Sequence, residues 1–117
     1  MLQQPRYFNG KIMLAITRKE GQSFLLIKGD EKFDVTFDRS RMYFDNDGMQ
    51  WRYTLSVIDR ATNESKSYGC FIGERFFIEP MNTVVMLVKY HMSELKIGVD
   101  APASVIIIRS EIYENKD

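Results

Sequence analysis

The chain is predicted to be all-β. Short runs rich in β-branched and aromatic residues recur from end to end, turn residues separate them, and helical periodicity is almost absent. Ile12 to Arg18 is the first predicted strand, and Glu20-Gly21-Gln22 turns the chain into a second, Ser23 to Lys28. Gly29-Asp30-Glu31 forms the next turn. Phe33-Asp34-Val35-Thr36-Phe37 then alternates apolar with polar, which is the period of a half-buried strand. Asp45-Asn46-Asp47-Gly48 is a hairpin turn; it lacks the twelfth-position glutamate that a calcium loop needs. Trp51 to Ile58 and Lys66 to Ile72 make the clearest hairpin, joined through Ala61-Thr62-Asn63-Glu64-Ser65. Thr83 to Lys89, Glu94 to Val99 and Ser104 to Arg109 are the closing strands, and the tail from Ser110 to Asp117 has room for about one or two helical turns.

A chain of 117 residues suffices for one modest core, so a single domain spanning 1–117 is expected. Its 44% hydrophobic and 27% charged residues are ordinary for a globular protein and exclude a disordered or fibrous chain. Sixteen basic and sixteen acidic residues cancel, which removes the overall field that drives non-specific nucleic-acid binding. Any affinity for a polyanion must come from a local patch. The first 27 residues supply one, with Arg6, Lys11, Arg18 and Lys19 against Glu20 alone. The lone Cys70 excludes an internal disulfide. No apolar run reaches the roughly 20 residues of a membrane span, and the chain is expected to be cytoplasmic.

Catalytic and metal chemistry find little support. His91 is the only histidine and sits in a turn-like stretch, Tyr90-His91-Met92-Ser93. Cys70 lies on a predicted strand with no basic neighbour in sequence, the setting of an inert core thiol. One Cys and one His cannot assemble a zinc site, and there is no phosphate-binding glycine loop or nucleophile elbow. The chain is therefore expected not to be an enzyme and to need no cofactor.

Two blocks carry a family resemblance. Met13-Leu14-Ala15-Ile16-Thr17-Arg18-Lys19-Glu20-Gly21 stands near the start. Leu95-Lys96-Ile97-Gly98-Val99-Asp100-Ala101-Pro102, continuing through Val105-Ile106-Ile107-Ile108-Arg109-Ser110-Glu111-Ile112-Tyr113, stands near the end. Together, and in this order, they resemble the opening and closing strands of the carbon storage regulator (CsrA/RsmA) family. The resemblance covers residues 11–27 and 79–113. Residues 28–78 read as a long inserted β extension, although Ile72 to Ile78 itself resembles the family's second strand, so the junction is open. Ile108 also departs from the pattern, since family members often carry histidine there.

The resemblance implies a small antiparallel β-sheet or barrel, formed as a strand-interleaved homodimer, in which the first strand of one protomer pairs with the last of the other. Arg18 of one chain would then lie beside Arg109 of its partner, giving two equivalent sites. The implied ligand is single-stranded RNA, a GGA element in an mRNA leader or a small regulatory RNA. Ile16, Thr17, Arg18 and Lys19 would line one side of the RNA-binding site, and Ala101, Pro102, Val105, Ile107 and Arg109 the other. Arginine suits this task because its planar fork matches phosphate and base edges and also stacks. The implied role is translational regulation by occupancy. The alternative is a protein-interaction module whose insertion binds a protein partner: between residues 28 and 78 nine acids oppose eight bases, a balance that favours a solvated β extension over a second RNA surface.

Overall fold

A computed structural model describes residues 6–8 and 11–114. Ten strands follow one another: β1 (Arg6–Phe8), β2 (Lys11–Arg18), β3 (Ser23–Lys28), β4 (Glu31–Asp45), β5 (Gly48–Asp59), β6 (Ser65–Cys70), β7 (Arg75–Ile78), β8 (Thr83–His91), β9 (Glu94–Pro102) and β10 (Ile106–Arg109). A 3₁₀ turn, Glu79–Met81, separates β7 from β8, and a short helix, α1 (Ser110–Glu114), follows β10. The strands form two five-stranded sheets of order β1-β2-β9-β8-β7 and β10-β3-β4-β5-β6, and every pairing is antiparallel.

Alternation decides which face of each sheet is covered. Phe33, Val35 and Phe37 of β4 and Tyr53, Leu55 and Val57 of β5 point to one side and are buried. From the other sheet Val85 and Leu87 of β8 and Leu95, Ile97, Val99 and Ala101 of β9 meet them. One continuous apolar cluster results. Removing its area from water is the main favourable term for a β fold of this size.

The pairings repeat. Antiparallel β2-β9 places Ile16 opposite Ile97, and β6-β5 places Tyr68 opposite Leu55. β3-β4 sets Phe24 against Val35, while β7-β8 sets Phe76 against Val85. The β4-β5 ladder slips at Phe37/Arg39, and the β8-β9 ladder slips at Leu87/Lys89. Gly21 donates its N–H to Phe37 O and Gln22 O accepts from Phe37 N–H; Gly73 and Glu74 do the same with Leu87. Both glycines have positive φ, +86° and +93°, where a side chain would strain the turn. Even a side-chain bond recurs, since Gln22 Oε1 accepts from Lys19 N–H and Glu74 Oε1 from Phe71 N–H, each at 2.8 Å.

The chain is thus two similar halves, β2 to β5 and β6 to β9, related by an internal two-fold, with β10 and α1 attached to one side. Each half lends its first strand to the other half's sheet. Two expectations change accordingly. Within the one chain β2 pairs β9 and β10 pairs β3, so the first predicted strand meets the next-to-last strand and not the last. Residues 28–78 are not an appendage, because β4 and β5 occupy the middle of one sheet and β7 closes an end of the other.

One part of that stretch does project. β4 and β5 run 15 and 12 residues, where their counterparts β8 and β9 have nine each. The additional hairpin around the Asp45–Gly48 turn exposes Met42, Tyr43, Phe44, Met49 and Trp51. Phe33, Phe37 and Tyr53, in contrast, are core residues.

Leu55 and Ile97 are symmetry mates, each fully buried on an interior strand of its sheet. Leu55→Ala and Ile97→Ala should each cost about 2–5 kcal/mol, measured by urea unfolding. A loss near zero at either position would contradict equal dependence on both halves.

Candidate nucleic-acid interface

The two motif blocks meet where the ends of β2 and β10 lie on facing sheets. Past Met13 the outer edge of β2 has no ladder partner among the described residues, and β10 is bonded only to β3. Two backbone edges are thereby left with donors and acceptors unused by the sheets. The two blocks are joined through α1, which directly follows β10 and whose Glu111 pairs with Arg18 at the end of β2.

Arg18 fastens the junction. Its guanidinium holds Glu111 in a two-pronged pair, Nη1 to Oε1 at 2.8 Å and Nη2 to Oε2 at 3.0 Å. Nη1 also donates to Ser23 O at 3.0 Å and Nε to Thr17 O at 2.7 Å. The side chain is only 4% exposed, while Glu111 is 51% exposed. Beside the pair, Ser23 Oγ and Ser110 Oγ are bonded at 2.9 Å. β2, β3 and α1 are tied together here.

The expected site residues divide by orientation. Ile16, Ala101, Val105 and Ile107 are buried, so their side chains belong to the core and only their backbone can reach a ligand. Arg18 departs from an open clamp, because four of its hydrogen bonds are already made within the chain. Thr17, Pro102 and Arg109 are half-buried, and Lys19 is exposed. Nε of Arg109 is buried and finds no hydrogen-bond partner among the described residues. Unpaired donors of this kind are uncommon and expensive in a folded chain. Arg109 acts on Glu111 as Arg18 does, and its strand position is opposite Phe24 of β3 and not opposite β2.

The hydrogen bond from Arg18 holds the Glu111 carboxyl down at about 2 from its ordinary 4.5, partial burial opposes this, and the Arg18 and Arg109 charges add to the lowering. Glu111 was visible in the closing motif, yet its partner lies 93 residues away and nothing local marks the pair. Cys70 is buried and desolvation raises its pKa, consistent with an inert thiol.

The symmetry mate of this place is different. The match of Tyr68 to Ile16 sets Gly69, Cys70 and Phe71 where Thr17, Arg18 and Lys19 stand. β5 then leads through the Ala61–Glu64 turn straight into β6, with no strand corresponding to β10. One half of the fold has the basic edge and the other lacks it.

No family model, curated protein or solved structure matches the chain. No helix among the described residues is long and apolar enough to cross a membrane, and those residues contain no cluster of three or more metal-ligating side chains.

Because the folded-state pKa of Glu111 is depressed, its stabilising contribution is complete above about 4.5 and lost as the pH falls toward about 2. The stability difference between the wild type and Glu111→Gln, read from urea midpoints, should be largest above that window and vanish at its lower end. A difference independent of pH would show that the carboxylate charge is not what holds Arg18.

Proposed function

We propose that this protein binds single-stranded RNA in a sequence-specific way and regulates translation after transcription, as a one-chain relative of the carbon storage regulator family. The observation that carries this reading is the meeting of two motif blocks from opposite ends of the chain at one corner, where Arg18 pairs with Glu111. Lys19 is exposed there, and Arg109 is half-buried, its Nε without a hydrogen-bond partner among the described residues. Arg18 acts as a positioning residue, holding β2, β3 and α1 so that the two strand edges stay in register.

In this reading unpaired bases of a GGA element in an mRNA leader or a small RNA are read by the free backbone groups of β2 and β10, with side chains adding charge. Lys19 supplies a phosphate contact and Arg109 a forked donor. The effect is occupancy of the RNA in the cytoplasm, where a covered leader is closed to ribosomes. No bond is made or broken and no cofactor is required. Because the symmetry mate of Arg18 is Cys70, the reading assigns one RNA site to each chain and no second copy is needed to complete it.

The exposed tip of the β4-β5 hairpin favours a second reading. Met42, Tyr43, Phe44, Met49 and Trp51 lie open in one hairpin, and grouped exposed apolar side chains are a common mark of protein contact. A protein-interaction module would use that tip in place of the basic edge.

Titration at one fixed salt concentration of a hairpin displaying GGA in its loop, against the same hairpin carrying CCA, separates the two. Tight binding confined to GGA is expected, and Arg109→Ala should weaken it by about 1–3 kcal/mol while leaving the fold unchanged. Equal or absent binding of the two hairpins would remove the RNA reading.

A further inference from the structure

The two-fold is broken at a second place. β3 is flanked on its outer side by β10, with Ile107 opposite Leu26 and Ile108 opposite Leu25. Its mate β7 has no strand on its outer side among the described residues. The consequence shows at matched positions: Leu25, on the strand that β10 flanks and α1 touches, is fully buried, whereas Phe77 is 48% exposed. Next to the open β7 edge lies a groove of about 370 Å³ lined by Phe33, Val57, Tyr68, Phe77 and Ile78. Those residues are the mates of Thr83, Val99, Ile16, Leu25 and Leu26. Leu25 and Leu26 pair directly with β10. The groove is the space that a second β10 would fill.

We propose that the β7 edge and this groove accept an extended segment of another protein, laid antiparallel to β7 as an added strand. Strand addition supplies ladder hydrogen bonds from the backbone, and alternate side chains enter the groove. The chemistry of the segment follows from β10 and from the rim. Ile106-Ile107-Ile108 in the matched place calls for consecutive β-branched residues. Asp59, Glu64 and Glu79 border the groove against Lys66 alone, so a basic residue is favoured at the N-terminal end of the segment, which lies near Glu79. The same acidic rim disfavours RNA here.

A second copy of the chain does not solve the vacancy. A β10 lent to a neighbour's β7 would uncover the donor's own β3 and leave as many open edges as before.

The probe is a synthetic peptide with this chain's own sequence from Ser104 to Ser110, preceded by two lysines, and its control carries Ile107→Pro, which removes a ladder donor. Binding to the whole protein is followed by fluorescence anisotropy, and its place by amide hydrogen exchange. The expected result is saturable one-to-one binding, new protection confined to 76–78, and at least about tenfold weaker binding of the proline peptide. Glu64→Lys with Glu79→Lys, both exposed positions, should weaken binding by about tenfold as well. The proposal fails if the peptide does not bind, if both peptides bind alike, or if protection arises in β3. It also fails if the protein without peptide self-associates with β7 already protected.

Discussion

Each half of this chain leaves its sheet incomplete at one side, and the missing strand comes from the other half. β2 lies against β9, and β6 lies against β5. Had β2 folded back on its own half, Leu14 and Ile16 would have no opposite sheet to face and β9 would keep an open edge. The exchange buries Leu14 and Ile16 of β2 and Cys70 of β6 and joins two small apolar layers into the single cluster that runs from Leu14 to Ile107. Small β units gain little from their own core, so the fold depends on this reciprocal pairing before any individual contact.

Symmetry supports the scaffold, and its breaks locate the chemistry. Arg18 and Lys19 at one corner face Cys70 and Phe71 at the matching corner. β10 and α1 cover β3, while the equivalent flank of β7 has no strand among the described residues. The Arg18–Glu111 pair links the two observations, because α1 is pinned to the β2-β3 corner by that pair. Arg18 is buried while Glu111 is half-exposed, so removing Glu111 would leave a buried guanidinium without its carboxylate, which is costly and suits a residue whose task is to set position.

Most strands were legible in the sequence because period-two alternation is a strong local signal, as in Phe33-Asp34-Val35-Thr36-Phe37. The hairpin of Trp51 to Ile58 with Lys66 to Ile72 was equally legible, and β5 and β6 pair there. β4 extends well past Phe37 to Asp45, and that stretch was missed because a two-stranded arm exposed on both sides needs no alternation. The internal two-fold was hidden for a different reason. Mates such as Leu14 and Lys66, or Arg18 and Cys70, share a backbone position and no side-chain character. What repeats is the positive-φ glycine, the ladder slip and a few apolar positions. Four of the nine expected site residues proved to be core for the same reason, since a motif names positions and burial depends on the opposite sheet.

The direct test of this account is to cut the chain. A protease site placed in the exposed Ala61–Glu64 turn separates β2–β5 from β6–α1 without touching a strand. The account predicts that the two pieces remain together as a folded one-to-one complex, with unchanged circular dichroism, until denaturant parts them. Separation of the pieces as independently folded units in gel filtration would contradict the exchange of strands on which everything else rests.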